Sequence, residues 1–153
     1  MSTFTLVHVA ISLIGILAGL VVVYGFVSGK RFSGVNVVFL VMTILTSVTG
    51  FFFPFKGVTP GIVLGVVSLV VLAVALVAMK KGWAKTYIAM ASLAEFLNVL
   101  VLIVQSFQKV PALHVLAPTG KEPIVAVCQL VGLVVFGALA VVGMRRVPVV
   151  VRY

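Results

Sequence analysis

Residues 91–105 read ASLAEFLNVLVLIVQ, a run that sets a carboxylate inside an otherwise apolar stretch. Glu95 is one of only two acidic residues among 153, the other being Glu122. The solvent around such a run decides the fold. The chain is 63% apolar and 8% charged, whereas a soluble domain carries about 25% charged residues. That much charge cannot coat a water-facing surface, so most of the chain is solvated by lipid.

Outward from this run, the sequence divides into five stretches long enough to cross a hydrocarbon core, which takes about 20 apolar residues per helix. They cover 5–28, 35–53, 61–79, 86–107 and 124–144. The joints are GKRFSG, PFKGVTP, KKGWAK and the longer QKVPALHVLAPTGKEP, punctuated by Gly and Pro. Pro54 is expected to end the second helix after Phe51, Phe52 and Phe53, and Pro60 to start the third. The first stretch has no basic residue before it and outruns the apolar core of a signal peptide, so it reads as a retained helix. The expected fold is all-α: a polytopic membrane protein forming a bundle of five transmembrane helices, one domain over residues 1–153.

Orientation follows from the loops. Lys30, Arg31, Lys80, Lys81, Lys85, Arg145, Arg146 and Arg152 fall at one end, against Lys56, Lys109 and Lys121 at the other. Eight against three predicts that the first end is cytoplasmic, with the N-terminus outside and the C-terminus inside. Tyr24, Trp83 and Tyr87 cluster at the same end, where amphipathic rings suit the interface. The tail VPVVVRY is too short to span and is expected along the membrane surface. The formal charge of +9 sits in short loops rather than on a folded basic face. It therefore points to anionic lipids at the cytoplasmic face as partners and not to nucleic acid.

Small residues mark the helix faces that pack closely in lipid. His8, Ser12, Gly15 and Gly19 share one side of the first helix, and Thr43, Thr46, Ser47 and Gly50 one side of the second. Gly61, Gly65, Ser68 and Ala75 do so in the third; Gln129, Gly132, Ala140 and Gly143 in the last.

The fourth helix differs. Ser92, Glu95, Asn98 and Gln105 form a polar stripe that packing alone does not demand. At about 1.5 Å per residue, Glu95 lies about 15 Å from Lys85, near the middle of the bilayer. An ionised acid there costs several kcal/mol, and no Lys or Arg matches its depth. The expectation is a neutral carboxyl group facing the bundle interior, hydrogen-bonded to Asn98, Ser92 or a threonine of the second helix. Asn98 and Gln105 would orient a ligand, with Gln129 and His8 at the entrance of an outward-opening polar cavity ending at Glu95.

Other chemistry finds little support. His8 and His114 lack a third ligand, and Cys128 stands alone in an apolar run, so no metal site and no cofactor are expected. GxSxG, HExxH, CxxC and Walker A patterns are absent, and a non-enzymatic role is expected. Glu122, just before Pro123, reads as a negative charge at the positive end of the last helix. The long loop is apolar enough to lie back on the bundle as a lid.

The stretches TSVTGFFFPF (46–55) and VQSFQKVPALHVLAPT (104–119) resemble segments of small bacterial inner-membrane proteins, a likeness that implies a location but no activity. Size and helix count are also similar to those of the tryptophan-rich sensory proteins. Trp83 is the single tryptophan, however, and that family's tryptophan-proline motifs are missing. The expected protein thus resides in a bacterial-type inner membrane and binds or transports a small molecule or a proton at Glu95. The alternatives are a non-catalytic subunit of a larger membrane complex, a homo-oligomer among them, or a membrane enzyme linked to haem or quinone.

Overall fold

A computed structural model describes residues 2–54, 57 and 59–146. Lys56, Arg152 and the tail 147–153 lie outside them. The chain forms α1 (Thr3–Ser28), α2 (Ser33–Gly50), α3 (Pro60–Lys80), α4 (Ala84–Lys109), α5 (Pro111–His114) and α6 (Pro123–Arg145). All but α5 are long and apolar enough to cross a membrane. The described residues contain no strand.

Local chemistry sets the ends. The Ser2 hydroxyl accepts from the Thr5 N–H at 3.2 Å and caps α1. Gly29 closes it in the left-handed region, with φ 68°. A Cβ at Gly25 would stand 2.9 Å from the Lys30 carbonyl and 3.0 Å from the Phe32 ring, so only glycine lets the 29–32 link fold back on α1. Pro60 occupies the first turn of α3 behind the Thr59 cap.

One boundary corrects the sequence reading. The second helix stops at Gly50, not at Phe53. Phe51, Phe52 and Phe53 donate to Val48, Thr49 and Gly50, each three residues back. Pro54 disfavours the α conformation at the residue before it, and the helix tightens a turn early.

Successive long helices run antiparallel. His8, early in α1, bonds Thr49, late in α2. Gly65, early in α3, faces the Phe51 ring just beyond α2. Gly143, late in α6, would bring a Cβ 3.0 Å from Phe26 of α1 and 3.2 Å from Ile88 of α4. Thus Lys30, Lys80, Lys85 and Arg145 share one end, here the basic end; the loop between α4 and α6 lies at the other.

Helix α4 is the centre of the bundle. Nine of its residues are buried, among them Ile88, Ala91, Ala94, Glu95 and Leu97, spread around more than one face. It packs against α1, α3 and α6, while α1 also lies along α2. Because lipid is as apolar as leucine, such contacts depend on close fit rather than on a hydrophobic drive. Small residues at Ala75, Ala78, Ala91 and Ala94, all fully buried, provide that fit.

Candidate functional site

Glu95 has no exposed surface. Its carboxyl group fills a notch at Gly19, where an added Cβ would overlap it and would also stand 2.9 Å from the Phe39 ring. The side of the acid toward α1 is therefore closed by backbone. Gly15, one turn earlier, meets Met42 of α2, its would-be Cβ 3.3 Å from the Met42 Cβ. The GxxxG pair is thus an internal contact, as the sequence stripe implied.

Three side chains from two helices form the polar cluster. Asn98 Nδ2 donates to Glu95 Oε2 at 3.4 Å and to Thr43 Oγ1 at 3.1 Å. Thr43 is fully buried on α2, and its carbonyl accepts from the Ser47 hydroxyl at 3.0 Å. Glu95 Oε1 is buried with no hydrogen-bond partner among the described residues, as is the Thr46 hydroxyl. Oε2 is the accepting oxygen, so a proton on this carboxyl group would sit on Oε1. A buried polar group left in this state costs about 1–3 kcal/mol.

The remaining residues of the expected site do not join this cluster. Ser92 is buried, its hydroxyl without a partner among the described residues, and it lines a cavity of about 90 Å³ between α4 and α6 with Phe96, Phe136 and Ala140. Gln105 is exposed and Gln129 half-buried. Neither hydrogen-bonds Glu95 or Asn98. His8 Nδ1 stands 2.8 Å from Thr49 Oγ1, whose own proton goes to the Leu45 carbonyl at 2.6 Å. Nδ1 is accordingly the donor, and the ring, edge-on to Phe53 at 5.0 Å, pins the start of α1 to the end of α2. In this conformation Glu95 has no exposed surface for an outward-opening cavity to reach, and His8 ties the start of α1 to the end of α2.

Two other expectations change. Tyr87 is not an interfacial ring: it is buried, donating its hydroxyl to Asn36 Oδ1 and meeting Phe26 edge-on at 6.0 Å. Tyr24 and Trp83 remain exposed at the basic end, Trp83 beneath the Lys81 ammonium at 4.8 Å. Glu122 makes no side-chain cap on α6. Instead its Oε1 accepts from the Thr119 N–H and hydroxyl, both at 2.9 Å, and the backbone bond first of all holds the carboxyl below the usual carboxylate range.

The long loop does lie back on the bundle, with Leu113 and Ala117 packed around Phe107 of α4 and Val125 of α6 beside the half-buried Cys128. What sequence reasoning missed is a cavity of about 260 Å³ at the basic end, lined by Val22, Phe26, Lys30, Arg31, Phe32, Ser33, Asn36, Val37, Met79 and Tyr87. Among the described residues no group of three or more His, Cys, Asp or Glu side chains could hold a metal ion.

Comparison of the chain with protein-family models, with curated proteins and with solved structures finds no match in any of the three. The five apolar helices make it compatible with a multi-pass integral membrane protein.

Proposed function

We propose that the protein is a proton-handling membrane protein in which Glu95 takes up and releases the proton. One observation carries this reading: a fully buried acid at mid-helix, held on one oxygen by Asn98, with its other oxygen unpartnered among the described residues. Structural acids in lipid are rare because their cost is not repaid by packing, and those retained commonly relay protons or ions. The closed notch supports a proton over a small molecule as the cargo. A small molecule needs volume that the Gly19–Phe39 wall denies, whereas a proton needs none. A small-molecule site at Glu95 would require α1 to part from α4.

In this reading Asn98 orients the carboxyl group, and Thr43 orients Asn98. A small movement of α2 that brought the Thr46 or Thr43 hydroxyl to Oε1 would favour one protonation state over the other. An accessory subunit would present an apolar, small-residue face away from the bundle, such as a GxxxG stripe not used internally. Gly15 and Gly19 face inward and so do not supply such a face. For location and orientation we retain the basic-loop argument: an inner membrane of bacterial type, the basic end cytoplasmic.

The test is proton flux into liposomes holding the purified protein and a pH-sensitive dye, driven by a potassium diffusion potential. Flux above that of empty liposomes, abolished by Glu95→Gln in a folded variant, is the expected result. Equal flux in parent and variant would remove Glu95 from the proton path.

A further inference from the structure

The polar side chains at the contact between α1 and α2 form a single column. Three close approaches set its register. A Cβ at Gly50 would stand 3.9 Å from His8 Cε1, one at Gly15 3.5 Å from the Thr43 nitrogen, and one at Gly19 2.9 Å from the Phe39 ring. Each step along α1 is matched by an equal step back along α2, as antiparallel helices require. The same register sets Ser12 of α1 opposite Thr46 of α2. The column therefore starts at half-buried His8, at the end of the bundle away from the basic one, and passes Thr49, Ser12, Thr46 and Thr43 to reach the Glu95 notch. Its first members are already bonded: His8 Nδ1 donates to Thr49 Oγ1 at 2.8 Å, and the Ser12 hydroxyl donates to the His8 carbonyl at 2.7 Å. The Thr46 hydroxyl in the middle of the column and Glu95 Oε1 at its end are both buried with no partner among the described residues.

We infer that this seam is the route of the proton to Glu95, with His8 as its entry and the Thr46 hydroxyl as its middle step. The inference rests on Glu95 being the group that takes up the proton. His8 accepts a proton at Nε2 and passes the one on Nδ1 to Thr49, which leaves the ring as the other neutral tautomer. Lys109, at the end of α4, is the charged side chain near enough to act on that ring. Each hydroxyl in turn accepts one proton on its oxygen and releases its own, and the Glu95 carboxylate keeps the last. Side chains one helical turn apart are separated by about 5–6 Å, a gap that one water closes with two ordinary hydrogen bonds. Asn98 holds the Thr43 hydroxyl beside the acid and carries no proton itself. The opposite side of α4 offers no such column, because Ser92 is the one polar side chain lining the cavity shared with α6.

The test moves the full chain, in liposomes, from ordinary to deuterated buffer and follows the infrared band of the protonated carboxyl group, identified by its loss in Glu95→Gln. Its shift on deuteration reads the rate at which the Glu95 proton exchanges. Thr46→Val keeps the shape of the side chain and removes the hydroxyl, and it should slow the shift about tenfold or more, the worth of one hydrogen bond to a migrating charge. Thr46→Ser restores the hydroxyl and should restore the rate, which a packing role would not do. His8→Gln keeps a donor for Thr49 but cannot take up a proton, and it should slow exchange as Thr46→Val does. Ser92→Ala, on the side toward α6, should leave the rate unchanged. Parental exchange in Thr46→Val or His8→Gln, with the band intact, would overturn the route while leaving Glu95 as the proton carrier. Slowing by Ser92→Ala equal to that by Thr46→Val would bring the proton from the α6 side, and failure of Thr46→Ser to restore the rate would reduce Thr46 to packing; each overturns the inference. A parent without the band would instead overturn the reading of Glu95 on which the route rests.

Discussion

The carboxyl group of Glu95 on α4 occupies the space that a side chain at residue 19 of α1 would fill. The glycine and the acid are therefore one feature. Removing the hydrogen at Gly19 in favour of a methyl group forces the carboxyl group, the Phe39 ring or α1 itself to move. Overpacking of this kind costs about 1–3 kcal/mol. Gly19→Ala should accordingly lower the melting temperature in detergent, and Glu95→Ala should make the same substitution cheaper by vacating the notch. A double-mutant cycle reads the coupling; additive effects would mean that the two residues do not share this space.

Glu95→Gln keeps shape and an acceptor for Asn98, so it should fold and melt like the parent. Glu95→Leu strips one Asn98 hydrogen of its acceptor and should cost about 1–3 kcal/mol. Infrared spectroscopy adds a second reading: a band of a protonated carboxyl group, present at neutral pH and missing in Glu95→Gln, is expected from a buried acid without a cation beside it. Its absence in the parent would place the ionised form in the notch.

Orientation is open to a labelling experiment. In a Cys128→Ala background, Val115→Cys in the loop after α5 should react with an impermeant maleimide outside intact cells, while Lys80→Cys at the end of α3 should not. Val115 is 77% exposed, so access is not limited by packing. The reverse pattern would invert the topology.

Glu122 offers a pH prediction. Its folded carboxyl lies below the ordinary value of 4.5 because the Thr119 N–H donates to it, so the bond is present above that value and is lost as pH falls through the lower, folded one. The Thr119 amide resonance should follow this titration with a midpoint below 4.5. A midpoint at or above 4.5 would mean that the loop contact does not form in solution.

Helix positions were legible because a run of apolar residues in lipid has to satisfy its own backbone, and only a helix does so within one segment. Four of the five spans lie within two residues of expectation at each end. The exception, the end of α2, was set by Pro54 acting on the residue before it, a signal present in the sequence but placed too late. The one-turn α5 also had a signal, since Pro111 is at its first position. Partners were less legible. Ser92, Glu95 and Asn98 share a side of α4, yet a stripe that wide faces two neighbours, and Ser92 turned to α6 while Glu95 and Asn98 turned to α1 and α2. The basic-end cavity was invisible, because Tyr87 joins Asn36 across 51 positions of chain.

The order of the helices matters for how the chain enters the bilayer. Alone, α4 is a poor candidate for partitioning into lipid, since it carries Glu95 and Asn98 through the hydrocarbon. By the time it emerges from the ribosome, α1 and α2 have been made, antiparallel and joined by only the four residues 29–32. Gly19 and Thr43 already stand on that hairpin. The receptor for the acid therefore precedes the acid during synthesis, and the costly helix is delivered to a surface that accepts it. Moving the α1–α2 hairpin to the C-terminal end of the chain would keep every contact of the finished bundle while leaving α4 to cross the membrane unaided.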